Sequence, residues 1–520
     1  MAQVQFPFQD LQELISIEQQ EALETLGMLG FPAEVLPDGT IGVEVTPNRP
    51  DCLCIEGLAR TLQCFKQGNP VEFKVSKATI SAICDPSVSA VRPAFGCAVV
   101  RNIKMTDSLL RSIMQLQEKL HETVGRKRRK VAIGLHDLAP IKPPFRYFAC
   151  GREEISFVPL NSTEEMTPAE ILKKHEKGIM YAHLVGEKCP MIVDAEGKVL
   201  SFPPIINGEL TRVCESTKEI FVDCTGTSAD AVKVAVNIVC AAFAQRGAQI
   251  EEVILDGQPY RLLEEKEWKL PTKEAQRLLG IGLSDAQAAQ LLSKMGHKIK
   301  GDRVLVPGYR ADIMSEVDLI EDIAIAYGFN NFEPVLPEVS TVGKIQKESP
   351  YHDVMVGLGY TEALTWMLSN PALVKKAKID EKLLEIENPL TEEYSVFRPA
   401  ILPNLLSVLS EGKNERLPIR LYEIGPVAKP NLKQQLCIVS MHAKASFSEI
   451  KGVVLAAMQK LGKDVQIQQD SSQTYISGRC AAVYVGEKKV GLFGEIAPQV
   501  LADFGLEQPV CAAEIEVEDV

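Results

Sequence analysis

No single hydrophobic core can serve this chain. Cores seldom grow past about 250–300 residues, and the sequence runs to 520, so it must divide into several domains. Short alternating segments, which predict strands, are interleaved with segments of helical spacing, with no internal repeat and no low-complexity tract. The expected fold is therefore multidomain, α/β and α+β. The most apolar segment, Val234 to Ala244, is interrupted by Asn237 and falls far short of the ~20 residues that cross a bilayer. The first ten residues have neither the basic start nor the long apolar stretch of a signal peptide, so the expected location is cytoplasmic. The thirteen cysteines are scattered and form no Cys-x-x-Cys pair; Cys52 and Cys54 stand closest. That spacing fits free thiols in a reducing compartment better than a disulfide framework or a zinc knuckle. A net charge of −13 argues against wholesale coating of nucleic acid, while leaving room for a local basic contact or a basic partner.

Four domains are expected. In residues 1–88, Asp10 to Gly30 has the spacing of one amphipathic helix, and Ile41–Val45 alternates as a strand. Asp51, after two turn-forming prolines, is placed to cap the next helix. Residues 89–263 combine strands at Ala98–Val100, Lys130–Ile133 and Phe221–Val222 with a helix over Leu109–Glu122. A second, apolar helix follows Thr225–Asp230, with Ser228 as its N-cap. Residues 264–337 predict helices over Thr272–Leu279 and Ser284–Met295, then a hairpin over Lys298–Pro307 with its tip at Lys300-Gly-Asp302. Two helices and a hairpin make a winged-helix-like order, common among nucleic-acid binders, although a fold does not fix a function. Glu338 to Ser349 has the look of a linker. The last domain, 338–520, sets strands such as Gln435–Ser440 and Ala481–Val485 among amphipathic helices.

The most informative stretch runs from Tyr309 to Tyr327. Helical spacing brings Asp318, Glu321 and Asp322 together at i, i+3 and i+4, with Asp312 just upstream. Clustered carboxylates suit a hard cation such as Mg²⁺, which takes several oxygens and keeps water ligands. An acidic, solvated helix face with Asp312 as N-cap explains the same spacing. Two other features stand out. Arg126-Lys-Arg-Arg-Lys130 is a basic run in an acidic chain, read either as a solvated loop or as a guide for RNA. His136-Asp137 has the composition of an acid–base pair, though a structural role fits it better.

Several motifs resemble phenylalanyl-tRNA synthetase β subunits, in the archaeal and eukaryal form. Arg310-x-Asp312 with Val317-Asp-Leu-Ile-Glu-Asp-Ile-Ala-Ile-Ala-Tyr-Gly328 is similar to one signature of that family. So are Glu44–Asp51 with Glu56–Arg60, Val131–Asp137, Leu200–Asn207, Asp223–Thr227, Glu387–Leu390 with Arg398–Pro403, and Tyr422–Val427, in family order. The resemblance implies that Asp312, Asp318, Glu321 and Asp322 bind Mg²⁺. Asp322 stands where many members have Glu, one methylene longer. It also implies a tRNA-editing module over 89–263 with Asp223, Thr225 and Ser201 in its pocket, hydrolysing mischarged Tyr-tRNA(Phe). Turn and cap roles for Asp223 and Thr225 remain the alternative. Residues 338–520 are implied to form a degenerate class II synthetase-like domain built on an antiparallel sheet. There Leu421, in Arg420-Leu-Tyr-Glu423, replaces the arginine that grips ATP, and leucine cannot donate to a phosphate. No Walker-type loop is present in the sequence. The implied partners are an α subunit, in an α2β2 heterotetramer, and tRNA(Phe), with ATP and phenylalanine held mainly by α. The competing functional classes are a stand-alone tRNA deacylase and a non-catalytic RNA-binding scaffold.

Overall fold

A computed structural model describes residues 2–336, 341–343, 349–412, 415–429 and 431–517. It divides into two compact units, Met1–Leu336 and Pro337–Val520. Most of the linker expected at Glu338–Ser349 lies outside the described residues.

In the first unit, strand Ile41–Val45 lies between Ala2–Phe6 and Ala33–Val35 in an antiparallel sheet. The single helix expected over Asp10–Gly30 is two, Phe8–Gln12 and Gln19–Met28. Between them the β-branched Ile15 and Ile17 both bury, a period-two pattern that a helix cannot satisfy. Asp51 does not cap the following helix. Its carboxylate is buried, 2.9 Å from Arg49 Nε and 3.5 Å from Arg60 Nη2. Helix Ile55–Gln67 instead begins at Cys54, without a side-chain cap.

The central part of this unit has three layers. A five-stranded sheet runs in the order Val75–Ser76, Gln249–Glu251, Ala94–Arg101, Ile220–Gly226, Val131–Asp137. Helices Asp107–Glu122 and Ala229–Gln245 cover one face, meeting Ala98, Val100, Val222 and Cys224. The other face presents Cys97, Val99 and Phe221 to a seven-stranded sheet that contributes Phe145, Tyr147, Ile192 and Leu200. Strands Val75–Ser76 and Ser81–Cys84 belong to these sheets, so the expected boundary at residue 88 falls too late. Ser228 caps the Ala229 helix, as its sequence predicts. In the next module, helices Thr272–Leu279, Asp285–Lys294 and Glu316–Tyr327 pack on a three-stranded sheet of Lys266–Lys269, Arg303–Val306 and Lys298–Lys300.

The second unit is built on a seven-stranded sheet. Its long antiparallel strands are Ile419–Lys429, Asn431–Met441, Val510–Val517, Lys488–Ile496 and Tyr475–Val485. Helices Pro350–Gly357 and Phe447–Lys460 cover one face, and Leu402–Glu411 and Pro498–Asp503 the other. Among the described residues no helix is long and apolar enough to cross a membrane.

Candidate functional site

Strand alternation decides what lies between the two sheets of the first unit. Val222 and Cys224 turn to the helices, so Asp223 and Thr225 turn the other way. Asp223 stands opposite Gly134 in the ladder. A Cβ at Gly134 would lie 2.0 Å from Asp223 Oδ2 and 2.7 Å from His136 Nε2, so only glycine leaves room here. In that space Asp223 Oδ2 is 2.7 Å from His136 Nε2, and His136 Nδ1 is 2.8 Å from Thr211 Oγ1. All three residues are buried. The Thr211 hydroxyl is farther from the Gly208 and Leu200 carbonyls, at 3.3 and 3.5 Å. Its shortest contact is the imidazole, so His136 bridges the Thr211 hydroxyl and the Asp223 carboxylate. Oδ1 is left as the acceptor that Asp223 offers. The pairing of His136 with Asp137 suggested by the sequence does not form. Asp137 accepts instead from the Thr217 hydroxyl at 2.8 Å and the Ala139 N–H at 3.0 Å.

Asp223 lines a cavity of about 460 Å³. Gln117, His121, Arg128, Ser201, Ile205 and Asn207 share its wall. Two of these carry buried polar atoms without a hydrogen-bond partner, Ser201 Oγ and Arg128 Nε, while His121 Nδ1 faces Glu118 Oε1 at 3.8 Å. Both atoms lie on one wall of the cavity and can take a further hydrogen bond there. Burial lowers the His121 pKa. His121 and the Arg128 charge together hold the Glu118 carboxyl down to about 2, against the cost of its burial.

Of the three expected pocket residues, Asp223 and Ser201 meet at the cavity and Thr225 does not. Thr225 is fully buried. Its hydroxyl accepts from Arg92 Nε at 2.9 Å and its carbonyl from Arg92 Nη2 at 2.7 Å. Burial pushes Arg92 down to about 10. Arg92, His121 and Thr211 carry no signal in the sequence that separates them from ordinary core neighbours. Gly134 stands out only once its register with Asp223 is known.

Asp312 and the three carboxylates Asp318, Glu321 and Asp322 of the Glu316 helix do not converge as expected. Asp312 and Asp322 are both clasped by Arg310, whose Nη2 is 2.7 Å from each. Asp322 is also 2.5 Å from buried His297 Nε2. Burial would raise the Asp322 pKa, but Arg310 and His297 prevail and hold it at about 2. Asp318 Oδ2 bends back to accept from the Met314 and Ser315 N–H groups at 2.8 and 2.6 Å. Glu321 faces solvent. The physical reason is direct: a guanidinium already stands where a cation would, and the helix start has claimed Asp318. Among the described residues no group of three or more His, Cys, Asp or Glu side chains is arranged to hold a metal. The donor set in this arrangement does not fit Mg²⁺.

In the second unit, Leu421 packs at the edge of the apolar cluster beneath the sheet. The nearby buried guanidinium, Arg398, is spent on Glu423 Oε1 at 2.6 Å and the Thr365 hydroxyl at 2.8 Å. Neither residue offers a donor to a nucleotide phosphate.

Residues 333–517 match the family model of the phenylalanyl tRNA synthetase beta chain CLM domain, and residues 268–329 match that of the tRNA synthetase B5 domain. The chain is 39% identical to the phenylalanine--tRNA ligase beta subunit of Methanothrix thermoacetophila, over 99% of this chain and 100% of that protein. It is 39% identical to the same-named subunit of Archaeoglobus fulgidus, over 98% of this chain and 96% of that one. A crystal structure of an N-terminal fragment of the phenylalanyl-tRNA synthetase beta subunit from Pyrococcus horikoshii is similar with a TM-score of 0.59. It has 34% identity and covers 63% of this chain and 99% of the fragment.

Proposed function

Because the chain belongs to the phenylalanine–tRNA ligase β-subunit family, we propose that it works with an α subunit to attach phenylalanine to tRNA(Phe) using ATP, and that its own cavity removes tyrosine attached in error. The assembly we infer is an α2β2 heterotetramer in the cytoplasm. Adenylation belongs to α. Leu421 and the Arg398–Glu423 pair support that division, since the leucine offers no donor to a phosphate and the Arg398 guanidinium is already engaged.

The observation that carries the proofreading reading is Asp223 at the cavity wall, held by His136 on one oxygen and presenting the other. A synthetic pocket lined for a phenyl ring cannot strongly reject an added hydroxyl. A second site that offers an acceptor to that hydroxyl discriminates in the opposite sense. Phenylalanine brings no donor, and binding it would leave a desolvated carboxylate unpaired. Ser201 Oγ, unpartnered on the same wall, is placed to hold a ribose hydroxyl or the attacking water.

Co-expression with a candidate α chain tests the assignment. A stable complex should charge tRNA(Phe) with phenylalanine, and this chain alone should give no phenylalanine-dependent ATP–pyrophosphate exchange. Exchange by the single chain would overturn the division of labour. Deacylation by the single chain, with no stable complex, would favour an independent deacylase.

A further inference from the structure

The fold treats the members of the basic run Arg126–Lys130 unequally. Arg126, Lys127 and Arg128 take φ of 47°, 54° and 66° in succession. Side-chain-bearing residues rarely enter this left-handed region singly, and three in a row is a feature that surrounding structure must enforce. The enforcement is visible. Arg128 turns inward to the cavity wall, where Nη1 donates to the Ile205 carbonyl at 2.9 Å and Nη2 to Glu118 at 2.9 Å, with Tyr181 under the guanidinium at 4.6 Å. From the other side, Arg92 donates to the Arg128 and Arg129 carbonyls, both at 3.1 Å, and Thr225 holds Arg92. Thr225 thus serves the turn rather than the cavity.

What the turn achieves is a division of charge. Arg126, Lys127 and Arg129 are exposed, and among the described residues no carboxylate pairs with them. They concentrate positive charge locally in a chain with 69 acidic and 56 basic side chains. Consecutive Cα atoms lie 3.8 Å apart, so these three charges stand within two residues of Arg128 and hence of the cavity wall.

We propose that the turn is a docking surface for the phosphate backbone of a single-stranded RNA end whose terminal ester enters the cavity. Its identity as a tRNA end rests on the proofreading function proposed above; the polyanion follows from the charges themselves. The anchored backbone suits the purpose, because it holds the three cations on one short segment before any phosphate arrives.

The test is direct binding of uncharged RNA to the full chain, so its outcome is separate from that of any deacylation assay. The probe is a fluorescent acceptor-stem hairpin with a single-stranded 3′ end, read by anisotropy across a salt series. Each phosphate contact on a single strand contributes about 0.7 to the slope of log K against log salt, so removing three should lower it by about 2. The variant R126Q/K127Q/R129Q should show that reduction, with Kd raised about tenfold or more near 0.1 M salt. The comparison variant K269Q/K273Q/K300Q removes three exposed lysines elsewhere in the same unit and should retain the parent slope. An unchanged Kd and slope in the turn variant, or an equal loss in the comparison variant, overturns the proposal.

Discussion

Gly134→Ala attacks the site through its tightest tolerance. The added methyl carbon would sit 2.0 Å from Asp223 Oδ2, 2.7 Å from His136 Nε2 and 2.9 Å from Asp223 Cγ. None of these atoms is the free end of a flexible chain, since both side chains are buried and bonded to each other. The pair must part, leaving two buried polar groups without their partner. A hydrogen bond to a charged group contributes about 1.5–3 kcal/mol, and leaving a buried partner unmet brings the loss to about 3 kcal/mol. That equals roughly two powers of ten in the local opening equilibrium. Hydrogen exchange at the amides of strands Val131–Asp137 and Ile220–Gly226 reads it directly, without assuming that the whole chain unfolds in one step. Tyr-tRNA(Phe) hydrolysis should fall with it. In the double variant with Asp223→Ala, the two costs should add to less than their sum, because the main clash is gone. If Gly134→Ala keeps parent-like exchange and parent-like hydrolysis, the His136–Asp223 pairing is not what organises the pocket.

Three further outcomes follow from the charges. The pKa of His121 is lowered by burial from 6.5, so the unfolded chain takes up a proton that the folded one refuses. Stability should therefore be complete above about pH 6.5 and decline below it, by up to ~1.4 kcal/mol per pH unit for this group, and denaturant titrations of His121→Gln should show a slope smaller by one proton. Millimolar Mg²⁺ should leave the melting temperature of the single chain unchanged, since Arg310 already neutralises Asp312 and Asp322; a saturable rise would show that the carboxylates rearrange around the ion. Arg398→Ala should destabilise the second unit by about 3–5 kcal/mol in urea unfolding, because Glu423 would remain buried without its cation.

The sequence made local structure legible wherever local chemistry determines it. Helices Thr272–Leu279 and Asp285–Lys294 and the hairpin after them follow from caps, glycines and periodicity within a few residues of each other. Asp223 and Ser201 were accessible through motif resemblance, and the structure places both on one cavity. What failed depended on partners that spacing and propensity do not disclose. Asp51 has the chemistry of a cap, but Arg49 and Arg60 draw it into the core. Thr225 shares a strand face with Asp223, yet Arg92, 133 positions away in sequence, takes both its oxygens. Spacing put Asp318, Glu321 and Asp322 near one another and said nothing of Arg310, which reaches Asp322 first. The basic run looked uniform because sequence does not disclose a backbone that turns left-handed and sends Arg128 inward.

The claim on which the rest turns is that Asp223 reads the hydroxyl of a wrongly attached tyrosine. The most direct measurement is the hydrolysis rate of preformed Tyr-tRNA(Phe) and Phe-tRNA(Phe) by the complex with α, for the parent and for Asp223→Ala. The parent should hydrolyse the tyrosyl ester far faster than the phenylalanyl ester, and the variant should lose most of that preference while still charging tRNA(Phe) with phenylalanine. Equal preference in parent and variant would contradict the account.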